Sequence, residues 1–89
     1  TLGFARPNPF GHVITIPYAL AAEGNVEIKV FDVSGRTVQT LTDKKQGPGY
    51  WTVHWNGTDG PGRPLPGGVY YVRMRSGDVE QVRPVVLVR

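Results

Sequence analysis

Apolar and polar residues alternate along most of this chain with a period of two, the repeat of a β-strand that buries one face. In residues 25–33, Val26, Ile28 and Val30 fall on one side, and Glu27 and Lys29 fall on the other. No stretch carries the repeat of a long helix. The pattern predicts six or seven antiparallel strands packed as a β-sandwich, with strand regions at residues 12–18, 25–33, 36–42, 50–55, 68–75 and 79–89.

The alternation also predicts which side chains fill the space between the two sheets. Trp51, Val53 and Trp55 share one face of their strand. Tyr70 and Val72 share a face of another strand, whose arginines must point outward. We therefore predict that these five residues belong to the structural core.

The length of 89 residues is enough for one domain. We expect residues 12–89 to form this domain and residues 1–11 to be a linker that leads into it. Pro7 and Pro9 favour extended backbone before them, and Phe10 is expected to plug the edge of the domain. Because the chain begins at Thr1 and not at Met, we expect it to be a piece of a larger protein.

Composition and charge narrow the classes of function. The chain has no cysteine, which excludes disulfides and thiolate metal sites. No apolar run approaches the ~20 residues of a membrane-spanning helix, and no signal peptide is visible. The net charge is +3, but the lysines and arginines are dispersed and form no dense stripe, so we predict no nucleic-acid partner.

Few side chains offer catalytic chemistry. His12 and His54 belong to no metal-ligand spacing. Ser34 and Ser76 both precede a glycine in a turn, where serine commonly bonds its own backbone. We therefore predict no catalytic residue and no cofactor.

Calcium is the one metal alternative. Asp43, Asn56 and Asp59 carry oxygens of the kind that Ca²⁺ prefers. Residues 56–60, however, lack the alternating acids and the closing glutamate of a calcium loop, and Asn and Asp also form turns without metal. We predict a plain turn at residues 56–60 and no bound metal.

Aromatic side chains raise the alternative of a carbohydrate-binding module. Tyr50, Trp51, Trp55, Tyr70 and Tyr71 carry rings on which a sugar could stack. Since both tryptophans lie on the face predicted to be buried, we expect Tyr50 and Tyr71 to be the exposed rings. A glycan therefore stays open as a partner.

Five stretches, taken together in their order and spacing, resemble a known family. The resemblance is to the immunoglobulin-like domain of the flagellar hook-capping protein and to the C-terminal sorting domains of type IX secretion substrates, and it covers the chain from about Asn8 to Arg89. The stretches are residues 8–10 (Asn-Pro-Phe), 30–36 (Val-Phe-Asp-Val-Ser-Gly-Arg), 55–59 (Trp-Asn-Gly-Thr-Asp), 67–74 (Gly-Gly-Val-Tyr-Tyr-Val-Arg-Met) and 85–89 (Val-Val-Leu-Val-Arg).

The resemblance implies an immunoglobulin-like sandwich. Within that fold, Gly35 is expected to supply a positive φ in a hairpin turn. Tyr70 is expected to bury its ring while its hydroxyl bonds the backbone, as in a tyrosine corner. Gly67 and Gly68 are expected to let the chain begin a strand at close quarters with its neighbours.

The function implied by the resemblance is a non-catalytic C-terminal sorting or anchoring domain of a larger secreted bacterial protein. An outer-membrane export apparatus would recognise such a domain, and its parent would reach the cell surface through the periplasm. The alternatives are a structural immunoglobulin-like module, either a spacer beside a catalytic domain or part of a flagellar cap, and the carbohydrate-binding module. The partner is then the export apparatus, a neighbouring domain of the parent or a glycan.

The last strand is the candidate recognition element. Val85, Val86, Leu87 and Val88 leave no polar side chain between Pro84 and Arg89. Export machinery could recognise such a strand by β-augmentation, with Arg83 and Arg89 setting the register. The structural alternative is that the core covers one face of this strand and residues 1–10 cover the other.

Overall fold

A computed structural model describes all 89 residues as six antiparallel strands without a helix. This confirms the all-β fold and sets the number of strands at six. None of the elements is a helix long and apolar enough to cross a membrane. The strands are β1 (Ile14–Leu20), β2 (Gly24–Phe31), β3 (Thr37–Gln46), β4 (Gly49–Trp55), β5 (Gly68–Ser76) and β6 (Val79–Leu87).

The strands form two layers with the core between them. One layer pairs β1 with β4, and the other has the order β3-β2-β5-β6. In β1 every second residue from Ile14 to Leu20 is buried, and in β2 the same holds for Val26, Ile28 and Val30. The period-two pattern of the sequence is thus the pattern of burial, because one face of each strand packs on the opposite sheet.

Residues 1–10, which we call the strap, are part of the sandwich and not the expected linker. The strap pairs with β1 through Leu2 and Tyr18 and through Arg6 and Thr15, and then crosses to β6, where Phe10 pairs with Leu87. The side chains of Leu2, Ala5 and Phe10 are buried in the core. The sequence does not reveal this pairing, because the strap contains two prolines and no regular alternation. The alternation is absent because the strap pairs first with one sheet and then with the other.

A cluster of three aromatic rings lies in the core at the end where β4 finishes and β5 begins. The Trp55 ring lies 5.5 Å from the ring of Phe10 and 5.3 Å from the ring of Tyr70, the latter in an edge-to-face arrangement that aromatic pairs prefer. The indole N–H of Trp55 donates to the carbonyl of Thr58 at 2.9 Å, so burial leaves no unpaired donor on this ring. Val72, also predicted in the core, is fully buried.

Tyr70 has the geometry of a tyrosine corner. Its ring is buried, and its hydroxyl donates to the carbonyl of Pro66 at 2.6 Å. The preceding Gly67 passes so close to β6 that a Cβ would lie 3.1 Å from the Leu87 carbonyl oxygen, and Gly68 has a φ of +152°. Close quarters thus require glycine at Gly67 only; at Gly68 the space is open, and the positive φ is what favours glycine.

The prediction that Trp51 belongs to the buried core is wrong. It lies on the inward side of β4, opposite Tyr18, yet 38% of it is exposed. The reason is its position: β4 is the outer strand of its layer, and nothing covers its far side. Val53, two residues further, is only partly buried against the core for the same reason.

The strap offers a direct test, because it carries one buried and one exposed phenylalanine. We expect Phe10→Ala to lower the free energy of unfolding by about 3–5 kcal/mol, since it leaves a cavity beside Trp55. Phe4→Ala should cost less than about 1 kcal/mol, because Phe4 is 78% exposed. Denaturant melts measure both. Equal and small losses would mean that the strap is a linker after all.

Candidate recognition surface

The structure divides the predicted recognition residues of β6 between the core and the surface. Val85 and Leu87 are buried, Val86 is half-buried, and Val88 is exposed. The core covers the inward face of β6, but no part of the chain covers Val88 on the other face. The strap lies beside β6 at its edge and not on its outer face, so only half of the structural alternative holds.

The edge of β6 is occupied along residues 84–88. Phe10 donates its N–H to the Val86 carbonyl at 2.9 Å and accepts from the Val88 N–H at 2.8 Å. The Asn8 side chain continues this ladder, accepting from the Val86 N–H at 2.9 Å and donating to the Pro84 carbonyl at 3.2 Å. An added strand would need the same backbone groups, so it cannot pair here while the strap is in place.

Both candidate arginines are engaged in contacts within the domain. The Arg83 guanidinium donates to the Leu2 carbonyl at 3.1 Å and to the Val82 carbonyl at 3.2 Å, and lies 5.3 Å above the Phe4 ring. Arg89 donates to the Leu65 carbonyl at 3.0 Å and to the Gly57 carbonyl at 2.8 Å. In this structure Arg83 fixes the strap, and Arg89 fixes the loop that follows β4.

The outer face of β5 and β6 exposes a continuous apolar surface, which we call the outer strip. On β5 and β6 the register pairs Val69 with Val86 and Tyr71 with Pro84, and these side chains point away from the core. Val69, Tyr71, Val82 and Val88 are each between 38% and 54% exposed. The outer strip consists of Val69, Tyr71, Val82, Pro84, Val86 and Val88. Sequence reasoning missed Val69 and Val82, although both occupy outward positions of their alternating strands.

Charged side chains border the outer strip at one end. Arg73 lies 4.5 Å above the Phe31 ring and 3.2 Å from the Glu27 carboxylate. Arg75 donates to Glu80 at 2.6 Å, and this hydrogen bond lowers the pKa of the Glu80 carboxyl. Arg73 also lies opposite Val82 across β5 and β6, so the charged border begins beside this end of the outer strip.

Two loops of the same sequence pattern, Asp-x-x-Gly-Arg, have the same geometry. In residues 32–36, Asp32 accepts from the backbone N–H of Arg36 at 3.1 Å, and Gly35 has a φ of +86°, as expected from the sequence. In residues 59–63, Asp59 accepts from the N–H of Arg63 at 2.8 Å, and Gly62 has a φ of +94°. Each aspartate also meets the Nε of its arginine, at 3.4 and 3.3 Å. The aspartate side chain closes the turn in both loops.

Two of the three residues of the calcium alternative, Asn56 and Asp59, use their oxygens in such turn contacts. Asn56 accepts from the Thr58 hydroxyl at 2.6 Å, and both carboxylate oxygens of Asp59 bond Arg63. The exposed Asp43 lies on β3, opposite Glu27 of β2. The absence of a bound metal stays a prediction.

The remaining polar candidates lie apart from one another. His54 is exposed on the outer face of β4, where its Nδ1 lies 3.0 Å from the Thr15 hydroxyl, and His12 is exposed before β1. The Ser34 hydroxyl donates to Asp32 at 2.6 Å within its turn, and Ser76 ends β5. The geometry brings no serine to a histidine.

The five aromatic residues considered as a sugar platform do not form one surface. Trp55 and Tyr70 are buried, whereas Tyr50 is 93% exposed on the outer face of the small layer. Tyr71 lies on the outer face of the large layer, on the opposite side of the sandwich. A stacked sugar could use Tyr50 or Tyr71 but not both.

The chain matches a known family. A family model described as the FlgD Ig-like domain matches residues 12–79, and the chain belongs to this family. The matched residues contain β1 to β5. No curated protein matches the chain.

Two solved structures contain a domain of the same fold. The crystal structure of dimeric latent PorU from Porphyromonas gingivalis has a TM-score of 0.69 at 18% identity, covering 96% of this chain and 9% of that one. PorZ of the same organism, described as an essential bacterial surface component of the type-IX secretion system, has a TM-score of 0.65 at 22% identity, covering 97% and 11%. This chain thus spans about a tenth of either protein, and the likeness is one of fold.

The internal role of Arg89 can be measured. We expect Arg89→Gln to lower the free energy of unfolding by about 1–3 kcal/mol, because two carbonyls lose a charged donor. Arg6→Gln is the matched control, since Arg6 is exposed and its contacts to β1 are made by its backbone. Thermal and denaturant melts compare the two. If Arg89→Gln is as stable as the wild type, the fold does not need Arg89, and its guanidinium is available for recognition.

The Asp32 turn predicts a pH effect. The hydrogen bond from the Ser34 hydroxyl lowers the pKa of the half-buried Asp32 carboxyl from its ordinary value of 3.8. Because the pKa of Asp32 is lower in the folded state, its carboxylate stabilises the fold at pH values above 3.8. This stabilisation is lost as the pH falls through the folded-state pKa. We expect Ser34→Ala to raise the pKa of Asp32, as measured by NMR titration, and Ser76→Ala to leave it unchanged. An unaltered pKa in Ser34→Ala would contradict this cause.

Proposed function

We propose that this domain is a non-catalytic sorting or anchoring domain of a larger secreted bacterial protein, recognised by an outer-membrane export apparatus through the outer strip. The observation that carries the proposal is the exposure of this strip. Val69, Tyr71 and Val88 form its apolar part on adjacent strands, and Val82, at its end, lies opposite Arg73. An exposed, contiguous apolar surface bordered by charges is the usual mark of a protein-binding face.

Membership of the FlgD Ig-like family supports a module of this kind, because such domains are typically non-catalytic. The shared fold with parts of PorU and PorZ adds a link to type IX secretion, since PorZ is described as a surface component of that system. Under this proposal the parent protein reaches the cell surface through the periplasm.

The proposed mode of recognition is contact with a sheet face and not strand addition. The strap holds the β6 edge, and Arg83 and Arg89 bond carbonyls within the domain. The side chains of Val82, Val86 and Val88 remain available on the outer face. Burial of this apolar face against the export apparatus would supply the binding free energy.

The outer strip can be tested in the parent protein. We expect Val82→Asp combined with Val88→Asp to leave the domain folded, because both side chains point to solvent. The parent carrying both changes should accumulate in the periplasm, because each carboxylate disrupts the apolar contact. Cell fractionation and surface labelling measure its location.

The chain provides a matched control. Val13 and Val33 are exposed valines outside the strip, 47% and 75% accessible, and their replacement by aspartate should leave export unchanged. Normal surface levels of the Val82/Val88 variant would refute recognition through the strip. Loss of export in both double variants would show a general effect of added charge.

A further inference from the structure

The sandwich has four outer edges, and three of them are protected against pairing with another strand. The strap covers residues 84–88 of β6, and the rest of that strand carries the charged Glu80 and Arg83. The strap itself is short and interrupted by Pro7 and Pro9. β3 carries Asp43, Lys44 and Lys45, and its register with β2 shifts twice. Charges, prolines and irregular pairing are the devices by which proteins protect their sheet edges.

The fourth edge, β4, has none of these devices. Its sequence from Gly49 to Trp55 contains no charged residue and no proline. It pairs with β1 in one unbroken register over all seven residues. A regular, uncharged edge strand is a template for further strand pairing.

The hydrogen bonds of β1 show which backbone groups of β4 face this open edge. Thr15, Pro17 and Ala19 bond the strap through their backbones. In an antiparallel ladder successive residues bond alternate sides, so the residues of β1 between them bond β4. The register then directs the N–H and C=O groups of Tyr50, Thr52 and His54 away from β1.

The inward side chains of β4 are also incompletely covered at this edge. Trp51 remains 38% exposed although it faces the core side, and Val53 is only partly buried. A strand added beside β4 would cover both residues. The open edge thus combines free backbone groups with half-buried apolar side chains.

We propose that β4 pairs in antiparallel fashion with β4 of a second copy of this chain, about a two-fold axis at Thr52. In this register Tyr50 of one copy lies opposite His54 of the other, and the two Thr52 residues face each other. These pairs form six backbone hydrogen bonds. On the inward side Trp51 of each copy covers Val53 of the other.

A second copy fits this edge because β4 complements itself. It carries no charge, so two copies meet without repulsion, and the exposed Trp51 ring finds an apolar partner in the same sequence. The interface has the self-complementary form of a two-fold dimer. It also joins two small layers into one continuous sheet with the order strap-β1-β4-β4-β1-strap.

The area involved is that of two seven-residue strands, so the association is weak and depends on concentration. A dissociation constant between about 1 μM and 1 mM is expected. Sedimentation equilibrium of the 89-residue chain measures it directly. A wild-type chain that stays monomeric up to about 1 mM overturns the proposal.

A substitution that adds a charge at the two-fold axis tests the proposed dimer directly. We expect Thr52→Lys to raise the dissociation constant about tenfold or more, because two like charges then lie directly opposite each other. Thr37→Lys, an exposed threonine on β3, adds the same charge elsewhere and should not change the association. Equal effects of both variants overturn the proposal.

Mixing variants tests the register itself. Thr52→Lys and Thr52→Glu should each associate more weakly alone than when mixed, since opposite charges then face each other at the axis. In the wild type, the amide protons of Tyr50, Thr52 and His54 should exchange more slowly as the concentration rises. Failure of the mixture to associate, or amides indifferent to concentration, overturns the proposed pairing.

Discussion

The contact between the rings of Phe10 and Trp55 ties the rest of the structure together. Phe10 comes from the strap, next to β6 of the large layer, whereas Trp55 ends β4 of the small layer. The same tryptophan packs on Tyr70, whose hydroxyl fixes the start of β5. A domain of this size has little apolar surface to bury and no disulfide, so a buried contact that joins both layers is costly to lose.

The strand architecture could be predicted from the sequence because it depends on local information. Alternation in β1, β2 and β5 fixes which side chains point inward, whatever strand lies next to them. Turn chemistry is equally local: Gly35 has the expected positive φ because the Asp32 carboxylate closes its own loop. Tyr70 likewise bonds a carbonyl only four residues away.

The features that could not be predicted depend on which strands are neighbours. Alternation places Trp51 on the inward side, but only the strand order shows that β4 is an outer strand and leaves it half-covered. The strap pairs with two different sheets, so no single period marks it. Recognition by Arg83 and Arg89 was inferred from their place in the sequence, whereas their contacts are set by the strap and by the loop after β4.

The parallel pairing of the strap with β6 has a mechanical consequence. Phe10 and Asn8 bond residues 84–88, and the strap and β6 run in the same direction at this point. A pull on the two ends of the chain would therefore slide these segments past each other. All bonds of the pair would bear the load together, whereas a peeling force breaks them one after another. The strap and β6 are thus joined in the orientation that best resists a pull along the chain.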